Sequence, residues 1–111
     1  MTGKYGTSER PESGRLVDDP RYVDRYGLDT DFATADQFTE FAKKLDVKPA
    51  TLAVAWTMSH PDVTAAIIGA RNLTQLEDSL AALDVEMTSD LREEISALSP
   101  ARPRPPTAPR P

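Results

Sequence analysis

A cation at a glycine turn is the clearest chemical signal in this chain. Ala65-Ala66-Ile67-Ile68-Gly69-Ala70-Arg71-Asn72-Leu73-Thr74-Gln75-Leu76-Glu77-Asp78-Ser79-Leu80 reads as a buried strand, a turn carrying Arg71, and a capped helix. A helix start gathers unpaired backbone N–H groups and a partial positive charge, which stabilise an anion. With the Arg71 guanidinium beside that start, Gly69, Ala70 and Arg71 read as a phosphate site. The plainer alternatives are a solvated surface cation for Arg71, a capping partner of Asn72 for Gln75, and a charge on an acidic helix face for Asp78.

The elements that must position this turn follow from local patterns. Residues 63–68 are β-branched or small and do not alternate with polar residues, the pattern of a strand buried on both faces of a parallel sheet. Asn72 caps a helix over 73–83, Gln75 completes a capping box, and Leu76, Leu80 and Leu83 form its apolar stripe. Upstream, Thr34 and Gln37 form another box at the start of a helix over 34–45, with Phe38, Phe41, Ala42 and Leu45 on one face. Pro49 suits the first turn of a helix carrying Leu52, Ala53, Ala55 and Trp56, which His60-Pro61 stops. Thr88 caps a last helix with Leu91, Ile95 and Leu98 on one face and Asp90 in its first turn.

Residues 1–33 show no sustained period and read as a loop region, with a helical turn expected near 20–26. Residues 99–111 are rich in proline and arginine and read as a disordered tail, with polyproline II recognition as the minor alternative. The domain reading is therefore a loop region over 1–33, a helix-helix-strand-helix-helix unit over 34–98, and the tail. Four helices around one strand is an incomplete set, because a lone parallel-type strand cannot satisfy its backbone hydrogen bonds. The order of elements is that of a βα-repeat protein, so the partner strands are expected upstream.

Composition bounds the function. The 111 residues carry a net charge of −5 and no cysteine. Arg102, Arg104 and Arg110 sit in 99–111 with no acid, so residues 1–98 hold ten basic against eighteen acidic side chains, or −8. An acidic body argues against nucleic-acid binding. No apolar run approaches the roughly 20 residues of a membrane span. The polar start, residues 1–10, has no secretory pattern, and the expected compartment is the cytoplasm. No His, Cys, Asp and Glu cluster has metal-ligand spacing, and His60 reads as structural.

Several blocks together resemble the C-terminal third of an aldo/keto reductase. They are Thr2-Gly3-Lys4-Tyr5, Val47-Lys48-Pro49-Ala50-Thr51-Leu52-Ala53-Val54-Ala55-Trp56, His60-Pro61-x-Val63-Thr64, and Ile67-Ile68-Gly69-Ala70-Arg71-x-x-x-Gln75-Leu76-x-Asp78-x-Leu80. The likeness covers about residues 2–100, and as a combined pattern it is highly specific. It implies an α/β fold, namely the C-terminal fragment of a TIM (β/α)8 barrel, mostly helical with one strand over about 63–68. It also implies NADP(H) bound at the C-terminal ends of the strands.

By position, the resemblance puts Gly69, Ala70 and Arg71 at the adenosine 2′-phosphate. Gln75 and Asp78 fall at the ribose or adenine, Lys4 on the pyrophosphate side, and Arg15 on a loop closing over the cofactor. The family usually has Asn where this chain has Ser79, which weakens one adenine contact. Its catalytic Asp, Tyr, Lys and His belong to earlier strands, and Lys4, Tyr5, Tyr22, Tyr26 and His60 sit in other motifs. The resemblance therefore implies a truncated reductase, begun at Met1 inside a longer frame and inactive by itself. The alternative is a non-catalytic module that binds an NADP-type nucleotide or assembles with a complementing barrel fragment.

Overall fold

A computed structural model describes residues 2–8, 11–12, 15–21 and 29–100. Residues 20 and 21 are helical, and the α-helices with described bounds are α1 (Arg15–Asp18), α2 (Asp29–Lys44), α3 (Pro49–Met58), α4 (Leu73–Leu80) and α5 (Ser89–Ala97). A 3-10 turn over Ala81–Asp84 continues α4.

Helix α2 starts at Asp29, five residues before the box expected at Thr34, which lies inside the helix. The reason is tertiary. Phe32 is only 2% exposed, and it adds a buried position six residues before Phe38. Lys43 and Lys44 suit its last turn. The helix stops in a Schellman arrangement. Asp46 takes a left-handed φ of 56°. Its N–H donates to the Lys43 carbonyl at 3.0 Å and the Val47 N–H to the Ala42 carbonyl at 3.0 Å. Aspartate tolerates that conformation better than most residues. The short α1 lies within the region read as loop; of the helical turn expected near 20–26, residues 20 and 21 are helical and 22–26 lie outside the described residues.

Helix α3 begins with Pro49 as its first residue and ends where Ser59 donates its N–H to Ala55 and its hydroxyl to Trp56. Its inner face supplies Thr51, Leu52 and Ala55. Phe38 and Ala42 of α2, Leu52 of α3 and Ile95 of α5 form the core, with Phe41, Val47, Trp56, Met87, Leu91 and Leu98 packed against it. The Trp56 indole N–H donates to Ser96 Oγ at 3.2 Å, which ties α3 to α5. Thr88 caps α5 by accepting the Leu91 N–H at 3.2 Å.

The segment 63–68 is not a strand here, and no strand is found among the described residues. The expected burial on both faces is also absent: Ile67 is fully exposed and Ile68 partly so. A parallel strand is paired and shielded by strands on either side of it, and among the described residues there are none. The same cause exposes the stripe of α4, where Leu76, Leu80 and Leu83 all face solvent in part and no residue is buried.

The N-terminal stretch 2–8 is strapped across α2. Asp36 Oδ2 accepts the Thr7 N–H at 3.0 Å and also the Thr7 hydroxyl. These bonds, the hydroxyl first, hold the Asp36 carboxyl below its ordinary 3.8, against a small opposing effect of burial. A depressed folded value means the contact contributes fully above pH 3.8 and is lost as pH falls through the lower folded value. A carbon NMR titration of Asp36 should therefore give a midpoint below 3.8, moving upward in Thr7→Val. A midpoint at or above 3.8 would contradict the contact.

Candidate functional site

The site is built on the start of α4. Asn72 has extended backbone and its side-chain oxygen accepts the Gln75 N–H at 2.9 Å, as a helix cap does. Gln75 answers with a bond shifted by one residue: its Oε1 accepts the N–H of Arg71 rather than of Asn72, at 2.9 Å. The two bonds lock the Arg71 backbone to the first turn while its guanidinium stays exposed. Asn72→Ala removes the cap and should destabilise the fold by about 1 kcal/mol. A urea midpoint equal to that of the unaltered chain would speak against it.

Gly69, Ala70 and Arg71 are all exposed. A Cβ built on Gly69 would meet nothing within 4 Å, so packing among the described residues does not require the glycine. The space beside it is free for an incoming group. An exposed guanidinium, a helix start and an open backbone surface together fit a phosphate.

Asp78, the residue expected at the ribose or adenine, has partners within the chain. Its Oδ1 pairs with Lys48 Nζ at 2.6 Å, and its side chain is only 24% exposed. Its carbonyl accepts the Thr51 hydroxyl at 2.6 Å. Both contacts fasten α4 to the start of α3. Lys48 thus belongs to the site's frame, and nothing local in the sequence marks it, since thirty residues separate the pair.

Lys4 is exposed, with its ammonium 5.5 Å from the centroid of the Tyr5 ring. Thr2, two residues before Lys4, lines a cavity of about 250 Å³ together with Ala50, Ala53, Val54, Ile67, Ile68, Gly69 and Ser79. The start of the chain and the glycine turn therefore share one depression. Arg15 is the first residue of α1, and its side-chain position lies outside the described residues. A second, apolar cavity of about 340 Å³ lies between Val54 and Met58 of α3, residues 64–66, Ile68, and Leu80 and Leu83. His60 accepts the Asp62 N–H through Nδ1 at 3.1 Å, a turn contact. Among the described residues no group of three or more His, Cys, Asp and Glu side chains could hold a metal ion. No helix among them is long and apolar enough to cross a membrane.

The aldo/keto reductase family model matches residues 1–100. The chain belongs to the aldo/keto reductase family. It is 29% identical to Protein tas of Escherichia coli over 98 residues, covering 88% of this chain and 28% of that protein. It is 30% identical to a probable voltage-gated potassium channel subunit beta of Oryza sativa over 108 residues, covering 94% of this chain and 33% of that one. An uncharacterized oxidoreductase of Mycobacterium tuberculosis is 34% identical over 97 residues, covering 86% and 29%. The chain spans about a third or less of the length of these relatives. The family implies a TIM barrel, and a small, mostly helical chain with an unpaired 63–68 segment is what part of such a barrel would be.

Proposed function

We propose that this chain is the adenosine-binding end of an NADP(H)-dependent aldo/keto reductase. Arg71, with the Gly69 and Ala70 backbone, takes the adenosine 2′-phosphate. Gln75 holds the Arg71 backbone in place and faces the adenine side. Lys4 serves the pyrophosphate, and Arg15 closes over the cofactor from α1. Asp78 reaches the ribose only by sharing its carboxylate with Lys48. When bound, NADPH supplies the hydride for carbonyl reduction. The proton donor for that step is a residue of the whole enzyme that this chain does not carry, so the chain alone does not reduce carbonyl substrates.

The observation that supports this reading best is the exposed Arg71, its backbone locked by Gln75, two residues past Gly69, which shares a depression with Thr2. Thermal shift with NADPH, 2′,5′-ADP and NADH tests it. The two 2′-phosphorylated ligands should raise the melting temperature more than NADH does. No shift at millimolar ligand would overturn it.

A second reading is an assembly module that docks onto a complementing barrel fragment. The exposure of Ile67, Leu73, Leu80 and Leu83 favours it. Light scattering decides between the two, since a stable monomer that shows no gain in stability with such a fragment would rule the second out.

A further inference from the structure

We infer that Asp36 is a positioning residue for nucleotide binding: from α2 it holds the Gly6–Thr7 turn, and so orders the stretch carrying Lys4, whose neighbour Thr2 shares a cavity with Gly69. The inference rests on the cofactor reading above. Asp36 accepts both the amide and the hydroxyl of Thr7 on one carboxylate oxygen. Its other oxygen fills the space over Gly6, which is buried, and a Cβ at Gly6 would overlap it. Any side chain there would displace the carboxylate or the loop.

The opposite end of the stretch is seated as well. Gly3 has a φ of 80°, and its Cβ position lies 3.7 Å from Pro49 Cγ and 3.9 Å from Thr39 Oγ1. Lys4 and Tyr5 lie between these two seats. Thr2, just before the first seat, lines the cavity that contains Gly69. A segment held at both ends before a ligand arrives loses less conformational freedom on binding. Asp36 acts only through this ordering and makes no contact with the nucleotide.

The test uses the full 111-residue chain, unaltered and with Asp36→Ala or Thr7→Val. Calorimetric titration compares NADPH, which spans both the turn and the Lys4 stretch, with adenosine 2′-monophosphate, which carries only the 2′-phosphate end. Asp36→Ala should weaken NADPH about tenfold and leave adenosine 2′-monophosphate within about twofold, with unchanged ellipticity at 222 nm. Thr7→Val keeps the amide donor and should give a smaller loss in the same direction. An equal loss on both ligands makes Asp36 a general stabiliser and overturns the positioning role, as does no loss on either. NADPH binding no tighter than adenosine 2′-monophosphate in the unaltered chain also overturns it, while leaving the 2′-phosphate reading intact. Failure of both ligands to bind the unaltered chain sinks the cofactor reading itself, and this inference with it.

Discussion

Leu52→Ala should abolish cooperative folding. Leu52 has no exposed surface and sits among Phe38, Ala42 and Ile95, where α2, α3 and α5 meet. Truncating a leucine in such a place costs about 2–5 kcal/mol, the transfer loss plus the cavity left behind. The buried core residues span only Phe32 to Ile95, and a single core drawn from fewer than about 70–80 residues supplies roughly 3–5 kcal/mol in total, so the substitution consumes the margin. Loss of most ellipticity at 222 nm and of a sigmoidal urea transition is the expected result. Leu83→Ala, at a position 71% exposed, should change the midpoint by less than about 0.5 kcal/mol. A cooperative Leu52→Ala transition at the unaltered midpoint would show that stability resides elsewhere.

Arg71→Ala should remove the preference for the phosphorylated cofactor. Hydrogen bonds between charged partners contribute about 1.5–3 kcal/mol each, so losing one guanidinium contact weakens NADPH roughly 10- to 100-fold. NADH has no 2′-phosphate and should be nearly unaffected. The ratio of the two affinities is the quantity to measure, because a general loss of structure lowers both together. An unchanged ratio would remove Arg71 from the phosphate site. Lysine at the same position should restore only part of the preference, since it brings a single point charge where arginine brings a planar fork.

What could be read from the sequence follows the range of the interactions. The starts of α3, α4 and α5 were legible because Pro49, Asn72 and Thr88 act on backbone groups one to three residues away. The core position of Leu52 and Ile95 followed from helical spacing. The start of α2 was not legible, because it depends on where Phe32 is buried. The 63–68 segment has the apolar, β-branched composition of the buried strand expected there, but strand formation also needs neighbours to pair with. At the site, the Asn72–Gln75 cap was visible and its one-residue shift onto Arg71 was not, since that depends on how the turn enters the helix. The links from Lys48 to Asp78 and from Thr7 to Asp36 join residues about thirty positions apart. No local pattern encodes such pairs.

The unpaired 63–68 segment carries a consequence for the behaviour of concentrated solutions. Val63-Thr64-Ala65-Ala66-Ile67-Ile68 has no charge, no proline and no glycine, and its isoleucines lie at the surface. Uncharged β-branched stretches of this length are the units that stack into cross-β fibrils when their backbone is free. The isolated chain is therefore expected to self-associate through this hexapeptide as its concentration rises. A lag phase in thioflavin fluorescence that shortens with concentration, and disappears in Ile67→Lys, is the expected signature. Within a whole barrel the same six residues would be shielded by neighbouring strands, so the stickiness belongs to the solitary piece and not to the family.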